Sequence, residues 1–229
     1  MAVTLAADAL TTLAAVKEEL GITDTAQDDR LKRLINAATS AIKRYTSREL
    51  GKATVTNERA PLAGGPRIVF QRIPIVSVTS IAVEDSLVLF DTTAYIVESS
   101  IAGVVYVKAG LPRYGFHRSG IAQDPQPGTE APILLLTYVG GFVTPAQADV
   151  GGTYAGETVT LPAELETACI DLVTYYNSHR GVAGEISSET LGDASVTYRD
   201  NGASAGEDRA GIPQHIRGRL NPYKRTFIV

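Results

Sequence analysis

Apolar residues near the N-terminus recur at helical spacing and predict a first helix. Leu13, Val16 and Leu20 fall three and then four residues apart, which places them on one face. Thr11-Thr12 precede this run as N-cap candidates, and Gly21 follows it as a residue suited to a helix end. The first helix is therefore expected between these capping residues.

A second, longer helix is predicted from Asp28 to about residue 47. Its first two residues are acidic, and negative charge is favourable there because of the helix dipole. Only a short turn separates the two helices, so we expect an antiparallel αα-hairpin. The apolar stripe of the second helix consists of Leu31, Leu34, Ile35, Ala38, Ile42 and Tyr45.

From Gly51 to about Val143, β-branched and aromatic residues dominate, and turn residues divide them into strands. Alternating apolar and polar residues over 76–83 predict a strand with one buried face. The stretch 111–132 is rich in proline and glycine and predicts a long excursion between strands. The candidate strands are 53–59, 67–70, 75–84, 87–90, 94–98, 104–108 and 132–139.

A third helix is predicted after a polar, glycine-rich loop at 144–160. Pro162 is expected at its first position, where a missing backbone N–H costs nothing. One face of this helix is apolar and should pack on the N-terminal hairpin. That face consists of Leu165, Ala168, Cys169, Leu172, Val173 and Tyr176.

The C-terminal part begins with a weakly apolar segment at 181–211, a composition typical of flexible or functional segments. It contains one strand-like island at 194–198. A short helix is predicted at about 213–220. The tail that follows carries the basic pair Lys224-Arg225 and then apolar residues, so we expect it to dock on a partner.

Together these elements predict an α+β fold. A mainly helical core is made of the αα-hairpin, the third long helix and a short C-terminal helix, and a small antiparallel β unit is inserted into it. The predicted divisions are the N-terminal helical hairpin of the core at 1–50, the inserted β unit at 51–143, the loop and third core helix at 144–180, and a flexible segment, short helix and C-terminal docking tail at 181–229.

Composition and charge narrow the classes of function. The 229 residues are 44% hydrophobic and 20% charged, which is ordinary for a globular protein. No apolar stretch is long enough to span a membrane, and the first residues lack the features of a signal peptide, so synthesis in a cytoplasm is expected. The net charge of −4 argues against general binding of duplex DNA, although the chain from Arg209 onward is basic and contains no Asp or Glu.

The search for reactive chemistry nominates no catalytic, cofactor-binding or metal-binding residue. The single cysteine, Cys169, excludes an intrachain disulfide and is expected to be a buried apolar residue. The three histidines lie far apart and show no metal-ligand spacing. The stretch 51–54 resembles the end of a phosphate-binding loop but lacks the required glycine and the metal-binding hydroxyl. We therefore expect a protein that is not an enzyme and has no cofactor.

Two segments near the N-terminus, 10–22 and 28–48, resemble the opening of the head–tail connector (head-completion adaptor) family of tailed bacteriophages. The likeness consists of a short helix that ends in Leu-Gly-Ile, an acidic turn, and a helix that ends in an aromatic residue, a small polar residue and Arg. Later segments that are similar to the family are 161–180, 191–198 and 221–225. One departure is the loop at 143–160, which is longer than the usual link and suggests an elaborated β unit.

The resemblance implies a structural role in the virion neck. Family members form a ring, typically twelve-fold, beneath the portal of the capsid after DNA packaging, and the ring provides the attachment site for the tail or a stopper protein. The implied partners are the portal protein, the tail or stopper protein and other copies of the chain. DNA would only pass through the channel non-specifically, and no membrane is involved.

The residues expected to bind the portal or a neighbouring subunit lie in the C-terminal tail. Arg and Lys side chains would pair with acidic groups, and aromatic side chains would fill pockets. Removing everything after Arg209 is then expected to abolish attachment and to leave the fold intact. The candidate residues are Arg217, Arg219, Tyr223, Lys224, Arg225 and Phe227.

Two other functions stay open at this point. The chain could be another neck or tail-completion protein, which would differ in its position within the particle. It could also be a small DNA-binding regulatory module that uses the N-terminal hairpin, which would bind duplex DNA in a salt-sensitive manner.

Overall fold

A computed structural model describes residues 2–61, 66–83, 92–108, 133–178, 188–191, 194–197 and 212–225. The chain divides into two compact units, a helical unit of Met1–Gly51 with Val143–Val229 and a β unit of Lys52–Phe142. Helices and small antiparallel sheets are both present, so the predicted α+β class is confirmed. The predicted strand at 87–90, the excursion at 111–132 and Phe227 lie outside the described residues.

The helices are α1 (Leu13–Leu20), α2 (Asp28–Thr46), α3 (Pro145–Ala148), α4 (Ala163–Ser178) and α5 (Gln214–Leu220), and a 3₁₀ turn at Asn221–Tyr223 follows α5. The strands are β1 (Ala53–Pro61), β2 (Arg67–Val69), β3 (Ile75–Val83), β4 (Tyr95–Ser99), β5 (Val104–Val107), β6 (Ile133–Gly140), β7 (Ser188–Leu191) and β8 (Ala194–Thr197). Strands β7 and β8 form an antiparallel hairpin, of which only the second strand was predicted.

The ends of α1 follow from its capping residues, as the sequence predicts. Thr12 is the N-cap, and its hydroxyl accepts a hydrogen bond from the backbone N–H of Ala15 at 3.2 Å. Gly21 takes a φ of 65°, a left-handed conformation that glycine adopts without steric cost. In that conformation the next N–H, of Ile22, reaches back to the carbonyl of Lys17 at 2.9 Å.

Polar side chains of α2 hold the segment that precedes α1, residues 3–10, which we call the N-terminal segment. Asn36 accepts a hydrogen bond from the N–H of Ala6 at 2.8 Å and donates one to the carbonyl of Thr4 at 3.0 Å. Lys43 forms an ion pair with Asp8. Further hydrogen bonds join the N–H groups of Val3 and Leu10 to the side chains of Asp29 and Thr39.

The helical unit has one apolar core, to which α1, α2, α4 and α5 contribute. Helix α4 contacts the other three, and α2 also contacts α1 and α5. The apolar faces predicted for α2 and α4 are buried, except that Leu34 and Tyr176 are half-buried. Fully buried side chains of this core include Val16, Leu31, Ile35, Ile42, Leu165, Leu172, Ile216 and Leu220.

The polar, glycine-rich loop predicted at 144–160 contains one short helix, α3, which was not predicted. Thr144 and Gln147 form a capping box: the Thr144 hydroxyl accepts from the N–H of Gln147, and the Gln147 side chain accepts from the N–H of Thr144 at 3.2 Å. Pro145 occupies the first helical turn. Both ends of the segment meet where the N–H of Val143 donates to the Thr160 hydroxyl at 2.9 Å. The segment belongs to the helical unit, so its extra length does not elaborate the β unit.

Pro162 was predicted at the first position of the third helix, but that helix, α4, begins at Ala163. The carbonyl of Pro162 accepts hydrogen bonds from the N–H groups of Leu165 and Glu166. Pro162 is therefore the N-cap residue of α4, and its carbonyl accepts the first hydrogen bonds of the helix.

The β unit consists of two three-stranded antiparallel sheets, in the orders β1-β6-β3 and β2-β5-β4. Alternate residues of the central strand β6 are buried, because successive side chains of a strand point to opposite faces of the sheet. The two sheets share one core, which comprises Ala60, Ile68, Phe70, Ile75, Ile81, Val105, Val107, Leu134, Leu136 and Tyr138.

A polar network lies inside this β core. The hydroxyl of Tyr138 donates to the Glu58 carboxylate at 2.7 Å and accepts from the N–H of Arg72 at 2.8 Å. Burial and the adjacent Glu58 carboxylate raise the pKa of Tyr138 well above its usual value, so the hydroxyl keeps its proton. Gly140 is required beside this network, because a Cβ atom there would lie 2.4 Å from the carbonyl oxygen of Arg72.

Cys169 is expected to be unreactive in the folded protein. Its side chain is fully buried against the Thr39 hydroxyl, and burial raises the pKa of its thiol to about 12, so almost no thiolate is present near pH 8. A chromogenic disulfide reagent should react with it only after denaturation. Ala14→Cys, at an exposed position of α1, is the control and should react at once. Rapid reaction of native Cys169 would contradict this account.

Candidate partner-binding site

The C-terminal residues predicted to bind a partner lie on α5 and the turn that follows it. Ile212, Ile216 and Leu220 of this segment are fully buried, and α5 contacts both α2 and α4. Residues 212–225 are therefore an integral part of the helical unit. Among the predicted residues of this segment, Arg219 and Lys224 are exposed, and Arg217, Tyr223 and Arg225 are half-buried.

The two arginines of α5 make different contacts. Arg217 donates a hydrogen bond from Nε to the carbonyl of Ile212 at 2.8 Å, and its Nη2 is a buried atom without a hydrogen-bond partner among the described residues. Arg219 forms an ion pair with Asp171 of α4 at 2.6 Å, and both side chains are partly exposed. An exposed pair of this kind contributes about 0.2–1 kcal/mol.

The turn after α5 is fixed on two neighbouring helices. The Tyr223 hydroxyl donates to the Glu164 carboxylate of α4 at 3.0 Å. Partial burial and this carboxylate raise the pKa of Tyr223. Lys224 lies with its ammonium 5.0 Å from the centre of the Tyr45 ring, within the range of a cation–π interaction.

Several basic side chains lie at the C-terminal end of α2, where Lys43 also pairs with the acidic Asp8 and Glu49. The N–H of Arg225 donates to the carbonyl of Thr46 at 2.9 Å, which places Arg225 beside Arg48. Burial and the like charge of Arg225 lower the pKa of Arg48. We call Arg48, Lys224 and Arg225 the basic cluster.

Five of the six predicted residues thus lie in the described segment 212–225. Several of them already bind groups of their own chain. The sequence analysis did not identify the internal partners Glu164 and Asp171. A signal was available, because these two acids are seven residues apart on α4 and therefore lie on one helix face. Binding of a partner by the candidate residues stays a prediction.

Glu166, two residues after the Glu164 that binds Tyr223, is expected to make the helical unit less stable as the pH rises. Burial raises the pKa of its carboxyl, and a hydrogen bond from the Thr11 hydroxyl at 3.4 Å offsets this only partly. The folded state therefore binds the proton more tightly than the unfolded state, so stability present at low pH is lost as the pH rises past the unfolded-state value. Glu166→Gln should unfold at higher urea than wild type at about pH 7 and equally at about pH 4. Thr167→Ala, an exposed neighbour, is the control, and a lower midpoint for Glu166→Gln at neutral pH would contradict the prediction.

Within the described part of the chain, no group of three or more His, Cys, Asp or Glu side chains is placed to hold a metal ion. None of the helices described is long and apolar enough to cross a lipid bilayer.

Comparison with known proteins identifies a protein family and solved structures that this chain resembles. Residues 10–85, which include α1, α2 and β1 to β3, match the family described as phage gp6-like head-tail connector protein. The fold resembles a chain in the neck of an empty gene transfer agent (GTA) particle, computed with C6 symmetry, with a TM-score of 0.51 and 14% identity over 100% of this chain and 96% of that one. It also resembles a chain in the virion of a native GTA particle, with a TM-score of 0.50 and 13% identity over 99% and 94% of the two chains. No curated protein matches the sequence. The resemblance to the phage head–tail connector family is therefore confirmed, and the family match covers residues 10–85 of the chain.

Proposed function

We propose that this chain is a structural subunit of the neck of a tailed-phage-like particle. It forms a ring between the capsid portal and the tail, completes the head after DNA packaging, and provides the attachment site for the tail or a stopper protein. The observation that carries this proposal is the agreement of two comparisons. The N-terminal third matches the connector family, and the whole chain shares its fold with a chain of a GTA neck.

The structure supports this role through its packed helical unit, in which α2 contacts α1, α4 and α5. The helical unit offers the outer faces of α2 and α4 as a wall, and a ring built from one chain needs two different faces that fit each other. A ring of twelve subunits is proposed from the resemblance to the family. The net charge of −4 suits a channel that lets DNA pass without holding it.

The proposal is tested by deleting the gene from its source particle and imaging the lysate by electron microscopy. We expect DNA-filled or leaking heads beside complete, unattached tails, since the joint between them would be missing. Normal particles would overturn the proposal. Heads with normal necks but defective tails would instead indicate another tail-completion protein. Salt-sensitive retention of duplex DNA by the purified protein would favour a DNA-binding module.

A sharper variant addresses the candidate residues. Ending the chain after Arg225 removes Phe227 and keeps all the described contacts of α5 and its turn. Attachment to portal-bearing heads should fall with this variant while its urea unfolding is unchanged. Arg67→Gln, which loses only the exposed ion pair with Glu98 in the β unit, is the matched control and should attach normally.

A further inference from the structure

The segment 144–160 is a closed loop whose two ends are joined at its base. The N–H of Val143 donates to the Thr160 hydroxyl at 2.9 Å, and the N–H of Leu161 donates to the carbonyl of Val143 at 3.2 Å. Thr144 and Gln147 of the capping box are both buried, although they are polar. Compact surface loops with joined ends are frequently functional, so we looked for a surface that this loop presents.

The backbone at the tip of this loop is held in one path. The N–H of Val150 donates to the Asp149 carboxylate at 2.8 Å. Gly151 takes a φ of 85°, a left-handed conformation that glycine adopts without steric cost. A Cβ atom on Gly152 would lie 2.3 Å from the carbonyl oxygen of Gln147, so the tip packs on the end of α3 only with glycine there. The tip is therefore an ordered part of the helical unit.

This ordered tip presents an apolar side chain to solvent. Val150 is 98% exposed, the largest exposed fraction among the large apolar side chains that the structure describes. A shallow pocket of about 600 Å³ adjoins the tip, because Asp149, the residue before Val150, is part of its lining. The apolar lining of the pocket comes from the half-buried Leu5, Leu13 and Ile22. We call Val150 and these three lining residues the docking face.

The charges around the docking face favour neither a basic nor an acidic partner. Two lysines, Lys17 and Lys32, and two acids, Glu18 and Asp149, line the pocket. The segment 143–161 contains no Lys or Arg, the residues with which proteins bind the phosphates of DNA. The chemistry that fits the docking face is therefore an uncharged apolar segment of a protein.

The position of the tip argues against a second copy of this chain as that protein. In a cyclic ring, each subunit contacts its two neighbours through two different faces. The tip and the pocket lie on the same face, because Asp149 lines the pocket and Val150 follows it. They are therefore not the two halves of a ring contact, which favours a different protein as the partner.

We propose that the docking face receives an uncharged apolar segment of the tail or stopper protein that attaches to the ring. This inference rests on the proposed function and names the surface through which it acts. The candidate residues of the C-terminal tail are assigned to the portal or a neighbouring subunit, so the protein on the tail side is the partner without an assigned surface. Val150 packs against that segment, and the pocket buries its apolar side chains.

Photo-crosslinking in assembled particles tests this contact. The full-length chain carries p-benzoylphenylalanine in place of Val150, and purified particles are irradiated and analysed by mass spectrometry. We expect one main product, in which this chain is joined to the tail or stopper protein. The control carries the same amino acid in place of Thr158, an exposed residue of the loop that is not part of the pocket lining, and should give little of that product.

A charge at the tip tests the contribution of the contact to attachment. Val150→Asp should reduce the number of heads with attached tails, counted by electron microscopy, by at least about tenfold, because a carboxylate buried in an apolar contact has no partner there. Its urea unfolding should equal that of the wild type, because Val150 is almost fully exposed. Thr158→Asp adds the same charge at another exposed position and should attach tails normally.

The contrary results distinguish this inference from the proposed function. A crosslink from position 150 to a second copy, to the portal or to DNA, or no crosslink at all, would overturn the docking face and leave the neck assignment standing. Normal tail attachment by Val150→Asp would do the same, as would loss of this variant from the heads, because Val150 would then serve the ring itself. Wild-type particles that lack the chain altogether would overturn both.

Discussion

Ending the chain after Arg209 is expected to unfold the helical unit. The deleted residues include three fully buried apolar side chains, Ile212, Ile216 and Leu220. Each such side chain contributes about 1.5–3 kcal/mol when it is buried, and the total stability of a typical domain is only about 5–15 kcal/mol. Urea unfolding followed by circular dichroism at the helix wavelengths measures the loss. Ile216→Ala alone should cost about 2–5 kcal/mol.

The control for this truncation is the chain that ends after Arg225, which keeps these side chains and should unfold like the wild type. A wild-type unfolding midpoint for the chain that ends after Arg209 would contradict the prediction. The burial of α5 also argues against the sequence-based expectation that everything after Arg209 can be removed with the fold intact. Loss of attachment by that truncation would therefore say nothing about partner binding, and the shorter deletion after Arg225 is the informative one.

Phe70→Ala is expected to remove about 3–5 kcal/mol from the stability of the β unit. The Phe70 ring is 2% exposed and meets the Tyr138 ring edge to face, with centres 4.6 Å apart. Its loss would leave a cavity between the two sheets that share this core. Amide hydrogen exchange of the core strands β5 and β6 measures the effect locally, and it should become faster in both.

Tyr138→Phe is the matched control for Phe70→Ala, because it keeps the aromatic ring and removes only the hydroxyl. It leaves the Glu58 carboxylate and the Arg72 N–H without one partner each, at a cost of about 1–3 kcal/mol. Equal losses for the two variants would contradict the view that ring packing, more than the polar network, holds the sheets together.

The elements that could be predicted are those in which the spacing of apolar residues determines the type of secondary structure. The stripe of α2 from Leu31 to Tyr45 repeats at helical spacing over four turns, and all of its residues except the half-buried Leu34 are buried. Such patterns are determined by burial, which depends on the period of the apolar residues and little on distant parts of the chain.

The features that were missed depend on polar side chains that recognise backbone groups. Thr144-Pro145-Ala146-Gln147 has the sequence of a capping box, yet its polar surroundings suggested a loop. The N-terminal segment has no regular structure of its own, and only the polar positions Asn36 and Lys43 of α2 fix its path. Their partners lie about thirty residues away, and the apolar pattern contains no information about such contacts.

At the candidate site, too, the sequence predicted the chemical character of the residues but did not predict their contacts with distant residues. The basic and aromatic character of the C-terminal tail is visible in the sequence. Whether Arg219 and Tyr223 face a partner or their own chain depends on the acids of α4, about fifty residues earlier. A shallow pocket beside α1 could not be predicted either, because its lining residues Leu5, Leu13 and Ile22 are separated in the sequence and become neighbours only in the folded chain.

The insertion of the β unit between α2 and α4 has a consequence for the order of folding during synthesis. The apolar stripe of α2 packs against α4, whose first buried residue, Leu165, follows Tyr45 by 120 residues. Because the ribosome adds about 5–20 residues per second, Leu165 is synthesised roughly 6–24 s after Tyr45. The β unit is complete in sequence by then and can fold first. The newly made helical hairpin therefore exposes its apolar face for seconds, a period in which a chaperone or the ribosome surface would protect it from aggregation.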